Sequence, residues 1–373
     1  MTYDVAVVGA GAMGSAAARA LAAAGREVVV LEQFTLGHER GGSHGATRLF
    51  RPAADDAEIA ELTERARPLW RELEAESGET LLEETGGIDH GMGDASVETF
   101  RSLHGATGSV FSAAEAAERW PGFRFETDVL YQPGSGRLYA DRTVHALQVV
   151  AGRLGAEFRV QSPVRALRAH HGFVELDVPG GAVRARHVVL ATGPWTPKLA
   201  EGVVSLPPFT VTQEQPRFFT PLSDELEWPS FVHHGPTSYG LYEPGSGVKV
   251  GLHATGPEVD PDERDFQPEP ERDSALLRYV EQWYPGLDPH RSTAISCLYD
   301  TTPTSDFVID RAGPVTVAAG FSGQGFKFVP LVGAFVRDLV TGAAQKSGQN
   351  SGQKSAQRSV QPPARFRFQS FQR

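Results

Sequence analysis

The spacing of hydrophobic and polar residues changes several times along the chain. Residues 3 to 8, YDVAVV, read as a strand buried on both faces, carried by Val5, Val7 and Val8. After a glycine turn, Met13 to Ala24 reads as a helix of small residues able to approach a sheet closely, and Gly25 stands where a helix stop belongs. Val28 to Leu31 predicts the second strand. Residues 55 to 77 read as a long amphipathic helix, with Ile59, Leu62, Ala66, Leu69 and Leu73 at three- and four-residue steps. Asp55 or Asp56 can cap its start and Gly78 its end, while Pro68 predicts a kink or a break.

The pattern then turns mixed. Residues 84 to 140 include the strand-like LYQPGSGRLYA, and residues 156 to 193 alternate short strands ending in HVVLATG. Residues 208 to 255 read as antiparallel, rich in aromatics and Pro-Gly turns. Residues 307 to 342 return to α/β character, with a helix from about Val329 to Leu339. The expected fold class is α/β, or α+β overall: a discontinuous Rossmann-like dinucleotide-binding domain with an inserted β-rich domain. Its boundaries are predicted at 1–83, 141–207 and 301–342 for the first, and 84–140 and 208–300 for the second. Residues 343 to 373 form a low-complexity tail with six basic residues and no acid, a composition expected to be disordered.

Bulk properties narrow the setting. A formal net charge of -11 argues against nucleic acid and anionic membranes as partners. Cys297 is the only cysteine, which excludes an internal disulfide or a thiolate zinc site and fits a reducing, cytoplasmic setting. The strand beginning at Tyr3 leaves no room for a secretory leader. The alanine-rich stretch 16 to 24 is interrupted by Arg19 and is too short to span a bilayer.

Chemistry enters at the first turn. Gly9, Gly11 and Gly14 form G-x-G-x-x-G between a strand and a helix, where the turn, the approach of a pyrophosphate and helix–strand packing each need a glycine. Glu32 ends the second strand, 18 residues after Gly14, where an acid binds ribose hydroxyls. Spacing alone leaves NAD, and hence a dehydrogenase, or FAD as the ligand. GGSHGATRLFR, residues 41 to 51, offers Ser43, His44, Arg48 and Arg51 on a glycine-rich loop, and GFSGQGFKF sets Lys327 among aromatics. VKVGLH puts Lys249 and His253 on one strand face, with Tyr239 expected across a hairpin. H-E-x-x-H, G-x-S-x-G and P-loop motifs are absent, and Ser43 and Ser322 lack an obvious base.

In this order, VVGAGAMGSAAARALAAAG…VVVLE, GSHGATRLFR, ATGPW, YGLYEPGSGVKVGLH, SCLYD and GFSGQGFKF resemble the monomeric sarcosine oxidase and N-methyltryptophan oxidase family of D-amino-acid oxidase-type flavoproteins, over about residues 3 to 342. The resemblance implies FAD rather than NAD, contacted by the glycine motif, Ser43, Gly193, Gly323, Gly325 and Lys327, and a monomer acting on a small amino acid and O2. It implies a thioether from Cys297 to the flavin, His44 and Arg48 against the ring, and Lys249 near flavin N5 in the oxygen reaction. Arg51 and Lys327 become a substrate-carboxylate clamp, and Tyr239, His253 and Tyr299 the wall of the amine pocket. The expected reaction is oxidation of a secondary, N-methyl amino acid with release of hydrogen peroxide; oxidation of a cyclic imino acid on the same fold is the alternative. The chain departs from sarcosine oxidase at Pro52-Ala53-Ala54 and at Gln213, which predicts a different pocket wall.

Overall fold

A computed structural model describes residues 1–371 except 53, 55, 93–97, 99–106, 236 and 343–359. Two large sheets organise the described residues. In the first, Tyr3–Val8 lies between Val28–Leu31 and Gly181–Leu190, parallel to both, and Glu157–Arg159 extends the sheet beyond Val28–Leu31. The long strand Gly181–Leu190 serves two partners along its other edge. Its first half pairs antiparallel with Phe173–Val178, and its last residues pair in parallel with Val315–Ala319. Val5 and Val7 are fully buried, as a strand covered on both faces requires.

The helix Ala12–Ala23 packs on this sheet together with Ala140–Arg153 and Val329–Thr341. Its alanines are what let the helices close up. A Cβ on Gly333 would stand 2.6 Å from the carbonyl oxygen of Ala16, so the crossing depends on glycine there. The helix Ala57–Ser77 packs against Val329–Thr341 as well. Asp56 caps it, accepting the N–H groups of Glu58 and Ile59, and Gly78 ends it at φ +77°. Asp55 lies outside the described residues. Of the kink or break expected at Pro68, the break does not occur: the helix runs through it to Ser77, held by burial of Ile59, Leu62, Ala66, Trp70 and Leu73.

The second sheet has eight strands in the order Leu287–Ala294, Arg217–Pro221, Gly247–Leu252, Ser238–Glu243, Ser230–His233, Gly87–His90, Val129–Gln132 and Ser109–Phe111. Only the Ser230–His233 pairing with Gly87–His90 is parallel among these. Trp120, Phe123, Phe219, Phe231, Val248, Val250 and Tyr284 form a separate core on one face, closed by the helix Pro270–Trp283. Thr210–Glu214 pairs with Cys297–Thr301 in a small ribbon between the two sheets.

The tail corrects its composition. Residues 343–359 lie outside the described residues, but residues 360–371 pack on the hydrophobic clusters that flank the first sheet. Phe366 is fully buried with its ring 4.9 Å from Phe307, and Arg365 bridges Asp56 and Asp306. The basic count hid an aromatic anchor.

Candidate active site

A cavity of about 1180 Å³ runs from the glycine turn to the second sheet. Every predicted site residue other than Gly14 lines it. At the turn, Gly9 has φ +98°, and a Cβ there would lie 2.5 Å from the carbonyl oxygen of Ala191. A Cβ on Gly14 would lie 1.9 Å from the Gly9 carbonyl oxygen, so glycine is what seats the helix on the turn. The Ala12 N–H donates to Ser43 Oγ at 3.0 Å, so a serine from a distant loop satisfies one of the helix's open donors. Glu32 accepts from the N–H groups of Ala10 (2.8 Å) and Phe34 (2.9 Å). Burial pushes its pKa up, but the hydrogen bonds from His38 and these amides prevail and hold it below the ordinary value. An ionised acid therefore faces the cavity where the sequence predicts a ribose.

In the middle of the cavity the loop 41–46 meets the strand Cys297–Thr301. A Cβ on Gly42 would stand 2.8 Å from the Leu298 carbonyl oxygen, so only glycine allows this approach. Arg48 braces the loop by donating to the carbonyls of Gly42, His44 and Thr47. His44 has its pKa lowered to about 4, first by burial and then by Arg48. Its Nε2 is buried and meets no hydrogen-bond partner among the described residues. Lys249 is buried on the strand Gly247–Leu252 and donates to the Thr47 carbonyl at 2.5 Å. Burial and then Arg48 lower its pKa to about 7, against the opposing pull of Glu243. Thr47 Oγ1 in turn donates to Glu243 Oε2 at 2.9 Å.

At the far end Lys327 Nζ reaches the Arg51 carbonyl at 3.4 Å, and burial and Arg51 lower its pKa to about 7. Tyr239, His253 and Tyr299 cluster beside them, with ring centroids 5.5 Å apart for His253–Tyr299 and 6.5 Å for Tyr239–His253. Burial raises the Tyr239 pKa to about 12 and lowers that of His253, so the wall is electrically neutral. The pattern predicts His253 on the strand with Lys249, but the strand stops at Leu252 and His253 opens the turn, its N–H donating to the Thr237 carbonyl. Gln213 donates to the Gln267 carbonyl and does not line the cavity; Ala54 lines it, and Ala53 lies outside the described residues.

Sequence reading missed the partners of Arg51. Asp89 Oδ1 accepts from Arg51 Nε at 2.7 Å, and His234 and Gln132 hold the same carboxylate. An acid inside the short run GGIDHG is the only sign the sequence gives.

Comparison with known proteins assigns the family. A model described as FAD dependent oxidoreductase matches residues 4–339. The chain belongs to the FAD-dependent oxidoreductases. This oxidoreductase is 31% identical to monomeric sarcosine oxidase of Bacillus sp. (strain NS-129) over 91% of its length and 93% of the relative's. It is 28% identical to N-methyl-L-tryptophan oxidase of Yersinia pestis (strain Pestoides F), over 89% and 93% of the two chains. Among solved structures it resembles NikD, an unusual amino acid oxidase essential for nikkomycin biosynthesis, with TM-score 0.81 and 27% identity over 94% of this chain and 96% of that one. The FAD-dependent oxidoreductase family fits the cavity: the glycine turn leaves no Cβ in the way of a pyrophosphate, an ionised Glu32 lines the place for hydroxyls, and His44, with a buried Nε2 that meets no partner among the described residues, lines the cavity too. No helix among the described residues is long and apolar enough to cross a membrane.

Proposed function

We propose that this chain is an oxidase of a secondary amino acid, an N-methyl one, working as a monomer with FAD tethered through Cys297 and with O2 as the final acceptor. One observation carries the reading: a cationic pair, Arg51 and Lys327, shares a wall with the neutral rings of Tyr239, His253 and Tyr299, in a cavity that Cys297 and Lys249 also line. Held by the glycine turn, Glu32 and the loop 41–46, FAD would supply the hydride acceptor for the carbon beside nitrogen and the route of electrons to oxygen.

The residues supply position and charge. Arg51 and Lys327 hold the carboxylate and so orient the amine's neighbouring carbon. The amine donates hydride only when neutral, and a desolvated pocket with two cations disfavours its ammonium form. A protonated Lys249 favours negative charge developing on oxygen. Cys297 lines the cavity, and among the described residues its Sγ makes long hydrogen bonds to the carbonyls of Gly42 and Leu298, at 3.9 and 3.8 Å.

Acid precipitation of the purified protein should leave yellow colour in the pellet, and Cys297→Ser should release it to the supernatant. A panel of N-methyl and cyclic amino acids read for peroxide and formaldehyde then tests the reaction. Peroxide without formaldehyde would move the reading to a cyclic imino acid, and absence of peroxide would sink the oxidase.

A further inference from the structure

Behind Arg51, at the substrate end of the cavity, lies a negative charge that the carboxylate-clamp reading does not use. Parallel pairing of Gly87–His90 with Ser230–His233 sets Asp89 opposite Val232. Alternation along the strand sends His90 into the aromatic core, stacked on His233, and Asp89 toward Arg51. Asp89 is 1% exposed. Its Oδ1 lies 2.7 Å from Arg51 Nε, 2.6 Å from Arg51 Nη2 and 2.9 Å from His234 Nε2, and its Oδ2 accepts from Gln132 Nε2 at 2.8 Å. The Nε–Nη2 edge, the fork that grips a carboxylate side-on, is thus engaged by the protein's own acid.

We propose that Asp89 sets the charge of the substrate end so that it selects amino acids with one carboxylate and rejects those with a second. The inference rests on the clamp reading given above. Among the described residues, Arg51, Lys327 and Asp89 are the charged side chains grouped here, with His234 and His253 beside them and the phenols of Tyr239 and Tyr299 neutral, while Arg48 and Glu214, of opposite sign, act on Tyr239 from farther off. Two cations and one anion match a single bound carboxylate. A second carboxylate at this end would exceed the charge that this triad leaves, which is strongly unfavourable in a buried pocket. Asp89 acts through Arg51 and is a specificity-determining residue, not a catalytic one. Asp89 is held ionised: burial pushes its pKa up, but Arg51 and His234 prevail and bring it to about 2.

The test uses the holoenzyme and two thioethers that cannot be oxidised as amines, methylthioacetate with one carboxylate and thiodiacetate with two. Their Kd values are read from perturbation of the flavin's visible absorption. The wild type should bind methylthioacetate at least tenfold more tightly. Asp89→Asn, which keeps the shape and removes the charge, should shift the ratio at least tenfold toward thiodiacetate. A purely structural role would weaken both ligands together and leave the ratio unchanged, which overturns the proposal. A wild type binding both equally overturns it without any variant. Arg51→Met separates the two levels: if it leaves both Kd values unaltered, the clamp reading itself fails; if it weakens both while Asp89→Asn leaves the ratio fixed, only this inference does.

Discussion

Phe366→Ala removes the aromatic anchor of a segment whose composition suggests disorder. The ring is fully buried among Phe307, Phe328 and the helix Val329–Thr341, in the core that also carries the glycine-turn helix. Truncating a buried phenylalanine costs about 3–5 kcal/mol, the transfer loss plus the cavity left behind. Unfolding entropy of about 2.1 cal/mol/K per residue amounts to about 0.8 kcal/mol/K for a chain of this length melting as one unit. Each kcal/mol then lowers Tm by about 1.3 °C, so the variant should melt about 4–6 °C below the wild type.

Deleting residues 360–373 should cost more. It also removes Arg365 from Asp56 and Asp306, the Val360 N–H from Asp338 Oδ2 and the Phe368 N–H from Asp310 Oδ2. Asp338 is almost wholly buried and, among the described residues, is left with the hydrogen bond from Arg337 Nε. Asp56 caps the helix that follows Arg51, so loosening it should also raise KM. Differential scanning calorimetry of Phe366→Ala, with Phe371→Ala as a control at a half-buried position, measures the first effect. A Tm within 1 °C of wild type for Phe366→Ala, or an unaltered Tm after the deletion, would refute the packing argument.

Lys249→Met should slow flavin reoxidation far more than reduction by substrate in stopped-flow traces; equal losses would remove its assigned role. Because burial brings this lysine to about 7, its charged form lies below that pH, and wild-type reoxidation should fall as pH rises through the lysine's pKa. Burial lowers His90 to about 3 and His233 to about 4 from the ordinary 6.5, so both are neutral in the fold while the unfolded chain takes up protons below pH 6.5. Stability should be full above pH 6.5 and fall on acidification, by about 1.4 kcal/mol per pH unit for His90 alone. Urea midpoints at pH 7 and 5.5 measure this, and His90→Phe should flatten the slope; an unchanged slope counts against it. Gly42→Ala would drive a Cβ to 2.8 Å from the Leu298 carbonyl, so the absorbance ratio at 450 and 280 nm should show lower flavin content; full loading would mean the loop adjusts freely.

What could be read from the sequence follows from how local each physical cause is. The turn at Gly9 and Gly14 is legible because both glycines answer to atoms brought near by the first strand–turn–helix and its neighbour strand. Glu32 is legible for the same reason, since it bonds the amide of Ala10 in the turn it serves. Arg51 and Lys327 are 276 positions apart, and only the family pattern joined them before the fold did. Averaged composition misled at the tail, because six bases and many polar residues outweigh a single Phe366, although burial of one ring decides whether such a segment docks. Asp89 shows the limit most clearly. In GGIDHG nothing nearby marks its partner. Parallel pairing with Ser230–His233 brings it beside His234 and Arg51. An acid in such a strand carries no local mark of its partner, so its effect on substrate charge becomes visible only when the two sheets are brought together.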